Sequence, residues 1–247
     1  MLICLALVAV CAAVATLFNM DLMPENRLRL VIFTQVLSMM VAGLMCCSLM
    51  LDSLGELFRG RFTVNTMLTL TFAACFADGI FCLKELRIPC CAAFCMEATM
   101  ALWARYHRHT TEMAQMDTMR KAVRLHGLVK VADFYNGKPG LLRKDADVED
   151  FMDNYNKMSG PELAQSLCAG ISLIACMGIA VLAALRHGVS MGVQILATSL
   201  LVAVPATAFV SVTRPMALLE NRLHMVGSVF CGWKGVKAQS RMAMVPF

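Results

Sequence analysis

The chain has 247 residues, 59% of them hydrophobic and 16% charged, and its mean hydropathy of +0.66 lies outside the range of soluble proteins. The net charge of +5 does not point to nucleic acid, because the basic residues gather beside apolar stretches, where they report membrane topology. The one soluble stretch, residues 105–162, is near the size limit for a core of its own, which excludes an independent catalytic domain of ordinary size.

Six runs approach the roughly 20 residues that a helix needs to cross a hydrocarbon core. They are Met1–Met20, Leu30–Leu51, Phe62–Leu83 broken only by Asp78, Ile88–Ala104 broken only by Glu97, Leu163–Leu185, and Gly188–Thr213. The first has no Lys or Arg ahead of its apolar part and carries on to Met20, so it reads as a retained span and not as a signal peptide. After the fourth, Arg105–His126 continues as an amphipathic helix with Met113, Met116, Met119 and Val123 at helical spacing and Gly127 as its C-cap. Leu128–Phe134 then alternates apolar and polar, Asn136–Gly137 signals a tight turn, and Leu141–Leu142 resumes an apolar run, which predicts a short hairpin. The acidic run Asp145–Asp153 leads into a further helix before Ser159-Gly160-Pro161 opens the fifth span.

The expected fold is therefore all-α: a polytopic membrane bundle of six transmembrane helices with a small cytoplasmic loop domain. Its parts are a four-helix region (1–104), a loop of helix plus hairpin (105–162), a two-helix region with a Pro-kinked helix (163–213) and a tail (214–247). Alternate loops sort the Lys and Arg residues 17 against 5. The richer side holds Arg59, Arg61, the segment Arg105–Lys157 and the tail, which puts both termini and the central loop in the cytoplasm, with the plasma membrane as the expected location.

Soluble-enzyme signatures are absent from the sequence: no Gly-rich phosphate loop ending Gly-Lys-Ser/Thr, no Gly-x-Ser-x-Gly, no His-Glu-x-x-His and no Cys-x-x-Cys. Any chemistry belongs to the membrane. Most of the 12 cysteines lie inside apolar stretches, where a thiol behaves as a small apolar side chain, so a disulfide framework is not expected. Cys91 and Cys95 stand at i and i+4 on one helical face among 21 methionines, and soft ligands of this kind suit copper(I) or zinc as well as they suit packing. Asp78 and Glu97 are carboxylates at bilayer depth on consecutive antiparallel spans, where they could face each other and take a cation or a proton. As structural groups instead, Asp78 lies close to Lys84 and Arg87, and Glu97 can be protonated. Pro205, in the middle of the sixth span, removes the amide that would bind the Leu201 carbonyl, and broken helices of this kind hold ion sites in transporters.

Four spans, a cytoplasmic loop, two spans and a proline in the sixth resemble the membrane part of the heavy-metal P-type ATPases. In that family the sixth span reads Cys-Pro-Cys; here it reads Ala203-Val204-Pro205-Ala206, followed by Arg214–Leu223 as a helical extension. Met225–Val236 stands where the family has its Gly-rich segment. Val204 and Ala206 replace both thiolates, the loop has no Thr-Gly-Glu, and Asp-Lys-Thr-Gly is absent, so the resemblance implies no ATPase activity from this chain alone. It implies either the front part of a longer protein with downstream ATPase domains or a degenerate relative. Two functions follow as expectations. One is a cation-transport module with Pro205, Glu97, Asp78, Cys91 and Cys95 as metal-site candidates and no resident cofactor beyond a soft cation. The other is a non-catalytic membrane scaffold that binds a protein partner. The lipid bilayer is the common partner of both.

Overall fold

The computed structural model of the chain describes residues 1–20, 27–122, 124, 126–135, 138–145, 151, 155, 160–230, 232–233 and 236. The chain is mostly helical and divides into two compact units, Met1–Tyr106 with Ala164–Thr213, and His107–Leu163 with Arg214–Phe247.

In the first unit lie α1 (Leu2–Asn19), α2 (Leu28–Met45), α3 (Cys47–Phe58), α4 (Val64–Glu85), the start of α5 (Cys91–Lys121), most of α6 (Gly160–His187), α7 (Val189–Ala203) and the start of α8 (Ala208–His224). Among the described residues, five segments are long and apolar enough to cross a membrane: α1, α2, α4, α6 and the stretch Val189–His224. Their surfaces are apolar outward, with Val202 80%, Leu185 79% and Ile174 75% exposed, and only 11% of the α1 span is buried. Such a surface suits lipid, where every backbone polar group must be satisfied within a helix.

The fourth expected span, Ile88–Ala104, is not among the five. Pro89 keeps the helix from starting before Cys91, and Arg105 ends the apolar part at Ala104, short of a full crossing. This part of α5 is nonetheless the most enclosed: Phe94, Cys95 and Ala98 are fully buried, and Phe94 packs on Phe72 of α4 at 5.4 Å between ring centroids. A helix sheathed by others has no need of an apolar face all round, which is why it can carry Glu97.

The second expected span is also different. Instead of one helix over Leu30–Leu51 there are two, α2 and α3, parted at Cys46. The Cys46 amide donates to both the Ala42 and Gly43 carbonyls at 3.1 Å, a local tightening of the turn, and helix then runs on to Phe58. Close approach of small residues and short polar links hold the unit together, as expected where water supplies no driving force between helices. A Cβ on Gly43 would fall 2.4 Å from the Phe72 ring, and one on Gly192 of α7 would fall 2.6 Å from Ala184 of α6. Ser53 of α3 shares a hydrogen bond with Thr69 of α4 at 2.8 Å, and Thr63 with Thr66 forms the capping box that starts α4.

The sixth run breaks where its proline predicts. Helix hydrogen bonding in α7 stops with the Val204 amide on the Leu200 carbonyl at 3.3 Å, and α8 resumes with the Ala208 amide on the Pro205 carbonyl at 2.8 Å. Gln165 of α6 braces the restart, its amide donating to the Ala208 carbonyl at 3.0 Å and the Ser211 hydroxyl at 2.7 Å.

In the second unit the hairpin is present as β1 (His126–Tyr135) and β2 (Lys138–Asp145), antiparallel with His126 opposite Asp145 and Tyr135 opposite Lys138. The helix expected over Arg105–His126 ends at Lys121, and Gly127, expected as its C-cap, is a strand residue opposite Lys144. Cross-strand pairing outcompetes another turn of helix there because the alternating segment has a partner strand to bond. The turn Asn136–Gly137 and most of Asp145–Asp153 with the helix expected after it lie outside the described residues.

Candidate functional site

The helix α4 carries Asp78 and the start of α5 carries Cys91, Cys95 and Glu97, all at most 3% exposed. Pro205 is different: it sits exposed at the break between α7 and α8. Asp78 pairs with Arg87. Its Oδ1 receives Arg87 Nη2 at 2.6 Å, and its Oδ2 receives the Cys82 thiol at 3.6 Å. Leu86, in the left-handed region at φ 56°, ends α4 and swings the chain back so that Arg87 can reach the carboxylate. Asp78 is thus neutralised within its own connection.

Glu97 has no hydrogen bond or ion pair among the described residues, although it is 3% exposed. Cys75 of α4 lies within electrostatic reach of both Glu97 and Asp78. A carboxyl at this depth without a counter-ion is the most costly group in the unit.

Around it the interior is rich in sulfur. The Cys91 thiol points at the Met39 thioether of α2, 3.8 Å away. Cys11 of α1, Ser38 of α2 and Cys95 of α5 are also buried in this unit. Cys46 donates to the Ala98 carbonyl of α5 at 3.7 Å. All described cysteines are free thiols. Among the described residues no three His, Cys, Asp or Glu side chains gather closely enough to hold a metal by themselves.

Sequence reasoning picked out Cys91, Cys95, Glu97 and Asp78 but passed over Cys11 and Met39. A signal was present for the first: Cys4 and Cys11 share one face of α1 at i and i+7, and they are the only buried side chains of that helix. Met39, one methionine among 21, carried none.

A second polar centre lies within the second unit and was not foreseen. Glu220 of α8 is 3% exposed, and Gln115 of α5 is 2% exposed. Burial pushes the Glu220 carboxyl up to about 7; the Gln115 amide acts against the rise and the charge of Glu112 adds to it. The Gln115 amide nitrogen has no hydrogen-bond partner among the described residues. Glu112 is itself held by Arg108 at 3.1 Å and His109 at 3.4 Å. Burial, then Glu220 and Glu112, push the Tyr155 phenol up as well. One turn further along, Thr118 of α5 shares a hydrogen bond with His224 Nδ1 of α8 at 3.0 Å. An adjoining cleft of about 430 Å³ is lined by His109, Glu112, Asp117, Arg120, Tyr155 and two methionines.

No protein-family model matches the chain, and no curated protein or solved structure is similar to it.

Proposed function

We propose that the chain is the membrane module of a soft-cation transporter, with the apolar start of α5 as a sixth, sheathed span. In this reading it is akin to the membrane region of a heavy-metal P-type ATPase without the ATP-driven parts. It sits in the plasma membrane with both termini and residues 105–162 in the cytoplasm, and it works with lipid and with a protein partner or ATPase domains supplied downstream. The observation that carries the reading is Glu97: a carboxyl 3% exposed with no hydrogen bond or ion pair among the described residues, in an interior where thiols and a thioether replace the usual leucines. An intramembrane acid of this kind serves an ion or proton path more often than a fold, because a fold alone is better served by an apolar residue. The break at Pro205 adds unpaired carbonyl oxygen to the same unit.

The test is uptake by liposomes that carry the full chain and enclose a metal-quenched fluorophore. Saturable entry of copper(I), silver(I) or zinc(II) is expected for the wild type, with loss in Glu97→Gln. Entry no faster than in protein-free liposomes for all three ions overturns the reading in favour of a membrane scaffold.

A further inference from the structure

We infer that Glu97 is a proton-binding site whose proton is exchanged, one for one, with the cation that crosses the first unit; this rests on the soft-cation reading and narrows it to monovalent ions. The apolar start of α5 runs from Cys91 to Ala104. Glu97 stands near its middle, about 10 Å of helix from either end. It is 3% exposed and has no hydrogen bond or ion pair among the described residues.

The charges of the unit leave this carboxyl without a counter-ion. Arg87 is held by Asp78 at 2.6 Å and Arg105 by Asp52 at 3.3 Å, and every other Lys, Arg and His described in the unit is exposed. On α4, which packs on α5 through Phe72 and Phe94, the buried titratable groups are Asp78, satisfied by Arg87, and the thiols Cys75 and Cys82. Cys75 lies within electrostatic reach of Glu97. The remaining buried titratable groups described in the unit are free thiols, Cys91 and Cys95 of α5 among them, and none brings a positive charge. The buried hydroxyls of Thr71 and Thr99 do not serve Glu97 either: they donate to the carbonyls of Met67 at 2.8 Å and Cys95 at 2.7 Å. An ionised carboxylate there would be a bare charge among apolar side chains, so the group carries its proton.

Packing alone does not call for such a residue. A neutral carboxyl gives the helix contact nothing that a methionine or glutamine of similar size would not give; what it alone supplies is a negative charge that appears when the proton leaves. That charge matches one kind of cargo. A monovalent cation beside the ionised carboxylate makes a neutral pair, whereas a divalent ion leaves a net positive charge in an apolar interior. The exchange balances in atoms and in charge. As the cation arrives, the O–H bond of Glu97 breaks and the proton leaves to the side from which the cation came; on the other side the cation departs and a proton from water re-forms the bond. One positive charge moves each way and no electron moves.

The test uses the full chain. In nanodiscs, dicyclohexylcarbodiimide, an apolar reagent that attacks carboxyls holding a proton, is expected to modify Glu97 and not Asp78, read by mass spectrometry, with labelling that falls as pH rises. The infrared carbonyl band of un-ionised carboxyl should be smaller in Glu97→Gln than in the wild type. Because Gln keeps the shape of the protonated group, helix content should be unchanged. In liposomes that enclose a pH-sensitive dye, with the membrane potential clamped by potassium and valinomycin, silver(I) serves as a redox-inert monovalent probe. Its entry should turn the lumen alkaline by one proton for each ion, and Glu97→Gln should show neither entry nor alkalinisation. No adduct on Glu97 at any pH, with the same carbonyl band in both chains, overturns the proton site. Silver(I) entry at unaltered luminal pH overturns the exchange and keeps transport. An adduct on Glu97 with no entry of any ion keeps the proton site and removes the transport reading.

Discussion

Arg87 Nη2 stands 2.6 Å from Asp78 Oδ1, and this pair ties the connection between α4 and α5 back onto α4. Two intramembrane acids that look alike in the sequence therefore differ in kind. Asp78 is matched by a guanidinium nine residues on and completes a turn; Glu97 is buried as deeply with no such match.

Breaking the pair should weaken the fold. Arg87→Ala leaves the Asp78 carboxylate buried without its cation, at a cost of about 3 kcal/mol, the low end for a buried pair because the Arg87 side chain is 26% exposed. Thermal unfolding in detergent should show a clear fall for Arg87→Ala and a smaller one for Asp78→Asn with Arg87→Gln. Equal falls in both would show that the charge pair is not what holds the turn.

Glu220 makes the second unit sensitive to pH. Its folded-state carboxyl is raised from 4.5 to about 7 by burial, so the folded state holds a proton that the unfolded state has released between those values. Stability is highest on the acid side of 4.5 and falls as pH rises through about 7. The facing groups are Gln115, Tyr155 and Glu112, the last held by Arg108 and His109. Melting temperature against pH should slope downward over this window in the wild type and flatten in Glu220→Gln. An unchanged slope would assign it to another group.

Pro205→Ala should join α7 to α8. A residue-205 amide can then donate to the Leu201 carbonyl, and helix replaces the bend and turn at 204–207. Proline inside a helix costs roughly 3 kcal/mol relative to alanine in water and less where neighbours compensate, so stability should rise or stay level. Metal flux into liposomes should fall. Undiminished flux would show that the break serves packing only.

Orientation is open to direct labelling. From outside intact cells, a membrane-impermeant thiol reagent should react with His187→Cys, exposed at the end of α6, and not with Asp145→Cys, exposed at the end of β2. Both are read above the unsubstituted chain. The reverse pattern would turn the protein over in the membrane.

Much of the fold was legible because lipid and backbone hydrogen bonding leave few choices. An uncharged run of about 20 residues has to be a helix in a bilayer, a proline within it has to interrupt the hydrogen bonding, and an alternating pair of segments around Asn-Gly has to pair. The spans over α1, α4, α6 and α7, the break at Pro205 and the hairpin follow from those rules. The division of Leu30–Leu51 at Cys46 does not, since no proline marks it and the turn comes from two carbonyls sharing one amide.

Local pattern therefore determined which segments are helical and which residues are unusual for a membrane interior: Asp78, Glu97, Cys91, Cys95 and Pro205 all stand out by residue type and depth. Their partners were decided by tertiary structure. Arg87 meets Asp78 because Leu86 adopts a left-handed turn, Met39 meets Cys91 across 52 positions of sequence, and Glu220 is raised because packing buries it, with the charge of Glu112 adding to the rise. Hydropathy and helical period depend on neighbours within a turn or two, whereas the charge balance and donor set of a site depend on which faces of distant helices meet. That choice is made only when the helices pack.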